Sequence, residues 1–132
     1  MEHLHLPHDH GGHSVHVLEH MPEHGDFQTA ADLFKQLSDP TRVRIFWILC
    51  HCEECVINLS AMMEMSSPAV SHHLRQLKTA ELISSRREGK EVYYRAADDE
   101  KARALHDMIE KMLEVACPNE ERRSCSECIN DA

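Results

Sequence analysis

The sequence predicts a mostly helical fold with one small β-hairpin, a winged helix-turn-helix that pairs with a second copy through its first and last helices. Three observations predict it. Apolar residues recur at helical spacing through most of residues 27–116. Within that stretch two short helices meet at a turn of about four residues. A hairpin rich in arginine and lysine follows them directly.

The elements follow in order. From Phe27, the residues Ala30, Leu33, Phe34 and Leu37 mark one face of a helix. "SDPTR" then stops and restarts the chain, with Ser38 or Asp39 as cap and Pro40 at the first helical position, where its missing N–H costs nothing. The next helix, Thr41 to Cys50, is apolar nearly all round and is expected at the centre of the core. A short helix from Val56 to Met63 places Val56, Leu59 and Met63 on one side. After "EMSS", Ser66 or Ser67 caps a helix that Pro68 opens and that runs to Thr79. Glu64 stands where such turns often use a glycine.

On that second helix Val70, Leu74 and Leu77 form a narrow apolar stripe, whereas Pro68, His72, Arg75, Gln76 and Thr79 lie opposite. His72 and His73 therefore diverge around the axis and do not grip one ion from one face. His73 is read as a shoulder residue packing on the domain. Leu82–Arg87 and Glu91–Ala96 read as two strands, with Gly89 supplying the positive φ of a tight turn that projects Arg86, Arg87 and Lys90. Asp98 to Ala116 closes the domain as a helix capped by Asp98 or Asp99. Its stripe of Ala102, Leu105, Ile109, Met112 and Ala116 is expected to need a partner surface.

Three segments result: a His-rich flexible tail (1–24), the folded domain (25–116) and a Cys-containing tail (117–132). Eight of twelve histidines crowd into the first segment with almost no apolar periodicity, so weak metal capture by residues such as His3, His5, His8, His10 and His13 is expected there. No stretch reaches the roughly 20 apolar residues a membrane span needs, and the amino terminus lacks the apolar centre of a secretory signal. A cytoplasmic address and no membrane partner are therefore expected. In a reducing compartment the six cysteines, spaced as "CHCEEC" (Cys50, Cys52, Cys55), Cys117 and "CSEC" (Cys125, Cys128), read as metal or redox thiols.

The net charge of −9 opposes nucleic-acid binding at first sight. It is uneven, however. Ser66 to Arg95 carries six Lys/Arg against three acids, a cationic stripe on an acidic body. No phosphate loop, nucleophile with its base, or convincing carboxylate pair is found, so an enzyme is not expected.

"LFKQLSDPTRVRIFWIL", "SSPAVSHHLRQLKTAELISSRREGKEVYYR" and the acid-capped helix after them resemble the ArsR/SmtB family of metal- and thiol-responsive repressors, over about residues 27–116. The resemblance implies a homodimer that binds double-stranded operator DNA, represses transcription and lets go when an inducer ligates. It puts Ser67, Ser71, His72 and Gln76 on the DNA-reading helix, with Arg75 and Thr79 beside them and Arg86, Arg87 and Lys90 on the wing.

The family's sensor sites transfer less completely. Its thiolate type uses C-x-C at the start of the first helix of the motif. Cys55 matches, Ile57 stands in place of the second cysteine, and Cys50 and Cys52 lie just before. Together with Cys117 they suit a soft, thiolate-preferring ion: cadmium, lead, arsenite or copper(I), or zinc with a fourth ligand. The family's other site, between paired last helices, maps to Asp98, Glu100, Lys111 and Glu114. Both of its histidines are lost, and a protonated lysine has no lone pair to offer. The expected function is thus a repressor released from DNA by a metal or metalloid. The alternatives are a redox- or persulfide-sensing repressor of the same fold and a metal-buffering protein without specific DNA binding.

Overall fold

The computed structural model describes residues 5–8 and 10–117. They fall into two compact units, one ending at Leu33 and the other starting at Phe34. The first contains α1 (His13–Glu19) and most of α2 (His24–Gln36). Helix α1 lies within the His-rich segment 1–24. It starts after Gly12, whose φ of 81° suits glycine, and half-buries Val15 and Leu18 while fully burying nothing. Two apolar positions three apart give too little periodicity to announce a helix of seven residues.

The second unit runs through α3 (Pro40–His51), β1 (Glu54–Cys55), α4 (Val56–Met63), α5 (Ser67–Thr79), β2 (Ile83–Glu88), β3 (Glu91–Ala96) and α6 (Glu100–Ala116). Asp39 caps α3, its carboxylate accepting from the N–H groups of Thr41 (2.8 Å) and Arg42 (3.1 Å), with Pro40 in the first turn. Ile45, Phe46, Ile48 and Leu49 bury α3 among Leu59 and Met63 of α4, Val70, Leu74 and Leu77 of α5, and Leu82 and Ile83. This is the central helix that its all-round apolar pattern predicts.

Helices α4 and α5 end alike. Glu64 (φ 54°) and Glu81 (φ 60°) take left-handed backbone, the Met65 N–H reaches the Ser60 carbonyl and the Leu82 N–H the Leu77 carbonyl, both at 3.0 Å. Each is a Schellman turn with glutamate where glycine is usual. The first forms the turn of the helix-turn-helix. Ser66 then caps α5 by accepting from the Ala69 N–H.

The sheet is antiparallel in the order β1-β3-β2. Strands β2 and β3 pair from Ile83↔Ala96 to Glu88↔Glu91 around Gly89 (φ 63°), one residue later at the first strand than the sequence predicts. Strand β1 is too short to be seen in sequence, and it exists because Glu54 and Cys55 pair with Tyr94 and Tyr93.

Helix α6 is capped by Asp99, which accepts from the Ala102 N–H at 2.8 Å, and not by Asp98, which pairs with Arg103. Its stripe also differs from expectation. Ala102, Leu105 and Ile109 are buried within the chain and need no partner. Met108, Met112 and Val115, spaced four and three residues apart, form a second, exposed stripe, and α2 exposes Phe27 and Phe34.

Candidate functional site

Burial of Val70, Leu74 and Leu77 turns the opposite side of α5 outward. Ser67, His72, Arg75 and Thr79 are exposed there, with Ser71 and Gln76 half-buried at the margin. The Ser67 hydroxyl lies 3.1 Å from that of Ser60 on α4. His73 is half-buried. Burial holds its pKa below the usual imidazole range, with Asp39 pulling it up and Arg42 pushing it down. Its partner in the pair, His72, sits edge-on with ring centroids 5.4 Å apart. The two differ in burial, His72 being exposed and His73 half-buried.

The hairpin carries the other predicted cations. Arg87 and Lys90 are exposed at its tip, where the Arg87 Nε donates to the Gly89 carbonyl at 3.4 Å. Arg86 is engaged differently. Its guanidinium grips Glu53 through Nε and Nη2, reaches Glu88 through Nη1, and lies 4.9 Å from the centre of the Tyr93 ring. That clamp lowers the Glu53 pKa, first through the hydrogen bond from Arg86. Arg86 thus ties the hairpin to the segment after α3, and Glu53 is a residue that sequence reasoning missed. Lys78 is likewise occupied, donating to Ser85 Oγ at 2.8 Å.

The metal candidates fare unequally. Cys55 is buried on β1, Cys50 half-buried, and Cys52 and Cys117 exposed. Burial pushes the Cys50 thiol up to about 12, with Glu110 adding to it, and raises that of Cys52, with Glu54 adding there. The Cys52 thiol donates to the Ile48 carbonyl. Among the described residues Cys50, Cys52 and Cys55 are not drawn into a three-donor group, nor are Asp98, Glu100 and Glu114. His5, His8, His10 and His13 lie in the first unit, with His8 and His10 stacked at 6.0 Å. His3, Cys125 and Cys128 lie outside the described residues.

Two groups do converge, and neither was singled out by the sequence. One is His16, Glu19 and His20, exposed at the end of α1. The other is His51, His106 and Glu110, where the end of α3 meets α6. The two imidazole Nε2 atoms there are 3.0 Å apart. The only hint in sequence was the spacing of four between His106 and Glu110, which puts both on one helix face.

The polar face of α5 beside a cationic hairpin is the arrangement of a winged helix, and comparison with known proteins agrees. Residues 39–85 match the family model described as bacterial regulatory protein, arsR family. The chain is 37% identical over 88 residues to the arsenic resistance transcriptional regulator ArsR2 of Pseudomonas putida, covering 66% of this chain and 76% of that protein. The chain belongs to the arsR family of bacterial regulatory proteins. This arsR-family chain is also 45% identical over 76 residues to a cadmium resistance transcriptional regulatory protein CadC homolog of Staphylococcus aureus, over 57% of this chain and 62% of that one. It spans 62% to 66% of the length of its first curated relatives. Its fold matches the homodimeric winged helix-turn-helix DNA-binding domain Mb0332 of Mycobacterium bovis with a TM-score of 0.63 at 25% identity, covering 75% of this chain and 92% of that one. Among the described residues no helix is long and apolar enough to cross a membrane.

Proposed function

We propose that this arsR-family protein is a homodimeric transcriptional repressor that binds double-stranded operator DNA and is released from it by a metal or metalloid ion. The observation that carries the reading is the outward face of α5, with Ser67, His72, Arg75 and Thr79 exposed and Ser71 and Gln76 at its edge, next to Arg87 and Lys90. Hydroxyl, imidazole, amide and guanidinium groups on one helix face suit base edges in a major groove, and lysine and arginine on the wing suit phosphates. Arg86 contributes by holding the wing in place. A second copy would cover Met108, Met112 and Val115 of α6 and Phe34 of α2, doubling the reading face for a palindromic site.

Metal control is supported by the relatives named for cadmium and arsenic resistance. Cys50, Cys52, Cys55 and Cys117 are the thiolate route to it, for a soft ion that displaces their protons on binding.

Fluorescence anisotropy with the duplex upstream of the protein's own gene tests both halves. Arg75→Ala and the pair Arg87→Ala/Lys90→Ala should weaken binding, the pair also flattening its salt dependence. One of Cd(II), Pb(II), As(III), Zn(II) or Cu(I) should weaken it by roughly 5- to 150-fold, the span of about 1 to 3 kcal/mol of coupling. Binding indifferent to all five ions defeats metal control. Binding absent at low salt defeats the repressor reading.

A further inference from the structure

His51 ends α3, and its imidazole is trapped. Trp47, one turn earlier, lies tilted against it at 40° with ring centroids 4.2 Å apart, and His106 of α6 meets it edge-on at 4.8 Å. The side chains of His51 and His106 are 6% and 19% exposed. Two neutral imidazoles that face each other Nε2 to Nε2 share only one proton, so one nitrogen presents a lone pair. Opposite them stands Glu110 Oε1, 3.6 Å from His51 Nε2 and 3.4 Å from His106 Nε2. The Trp47 indole N–H donates to that same oxygen.

These three donors form a triangle with sides of 3.0, 3.4 and 3.6 Å. Bonds of about 2.0 to 2.2 Å to a tetrahedral ion place its ligands about 3.4 Å apart, so the triangle is already the size of one face of a zinc site. We propose that His51, His106 and Glu110 are the ligands of a divalent transition-metal site of the zinc, cobalt and nickel class that joins the end of α3 to α6 within one chain.

The surroundings suit such an ion. The Trp47 N–H fixes the carboxylate from outside, the place an outer partner occupies around a metal ligand. The carbonyl end of α3 brings partial negative charge to the same place. A cleft of about 370 Å³ bordered by His51 and His106 gives water access to the two imidazoles and so to a fourth coordination position. Nitrogen and oxygen donors select borderline ions over the thiophilic ones that the cysteine set invites. The site is independent of DNA binding and stands or falls without it.

The test is Co(II) binding to the full chain, followed by visible absorption and by chelator competition, with Zn(II) competing. The wild type should take up its tightest Co(II) with the visible bands of a four- or five-coordinate ion and no near-ultraviolet thiolate charge-transfer band. His106→Gln and Glu110→Gln should each weaken that site by about 100-fold or more, and by more than the 10- to 100-fold typical of losing an outer partner. Cys50→Ser/Cys52→Ser/Cys55→Ser and His16→Gln/His20→Gln should leave it in place. Far-ultraviolet circular dichroism checks that each variant folds. Zn(II) should raise the melting temperature of the wild type by more than that of His106→Gln. The proposal is overturned if His106→Gln and Glu110→Gln, both folded, keep wild-type affinity at the tightest site. It is equally overturned if that site shows thiolate charge transfer lost in the cysteine variant, or disappears with His16 and His20.

Discussion

A single carboxylate sets the start of the central helix. Asp39 accepts two backbone N–H groups, and those bonds, with that of Arg42 foremost, hold its pKa below the usual carboxylate range. Asp39→Ala should cost about 0.5 to 2 kcal/mol, read as a lower denaturant midpoint with an unchanged slope. The histidines set the response to acid. His51 and His73 both have folded pKa values depressed below about 6.5 by burial, so the folded state favours the neutral rings. Their contribution is present above about pH 6.5 and is lost as pH falls below it, because the unfolded chain takes up the protons first. The melting temperature should therefore drop between pH 7 and 5, and His73→Gln should make that drop shallower. An identical pH profile in the variant counts against a buried neutral His73. At this scale the sequence was informative where a role is local. Asp39 as cap, Gly89 in its turn and the outward His72 follow from neighbours a few residues away. The Arg86 clamp on Glu53 and the His51 to His106 approach join residues 33 and 55 positions apart, and no spacing rule reaches that far.

Among the elements, the turn between α4 and α5 is the one most open to improvement. Glu64 and Glu81 hold left-handed backbone without being glycine, at about 1 to 2 kcal/mol each, partly offset because glycine would gain entropy in the unfolded chain. Glu64→Gly and Glu81→Gly should each stabilise the protein by roughly 0.5 kcal/mol, seen as a higher denaturant midpoint. Midpoints that fall in both variants would show that the left-handed turns cost nothing. Glu64 was noticeable in sequence because a helix-turn-helix invites glycine at its turn. Glu81 was not, since only the hydrogen bond from Leu82 to Leu77 reveals a second turn of the same kind. The helices α4 and α5 were legible because each buries one face, which leaves a periodic trace, and α3 because it is apolar nearly all round. Strand β1 and helix α1 left none, the former being two residues long and the latter burying no residue fully.

For the whole molecule, the exposed stripe of α6 carries the expected assembly. Met112 is 55% exposed and Val115 62%. Met112→Glu would put a charge in the centre of a paired interface, and sedimentation velocity should show the dimer shifting to monomer while the circular dichroism of each subunit is kept. A variant that stays as dimeric as the wild type moves the interface elsewhere. The sequence by itself determined the order of helices and hairpin, the buried α3, the polar face of α5 and the cationic wing, because amphipathic period, caps and turn residues act between near neighbours. Only the tertiary structure decided which stripe of α6 faces inward, which arginine is spent on a clamp, and that two histidines and a glutamate meet at the end of α3. Those outcomes depend on how separate elements pack, and packing relates positions whose distance along the chain carries no information about their distance in space.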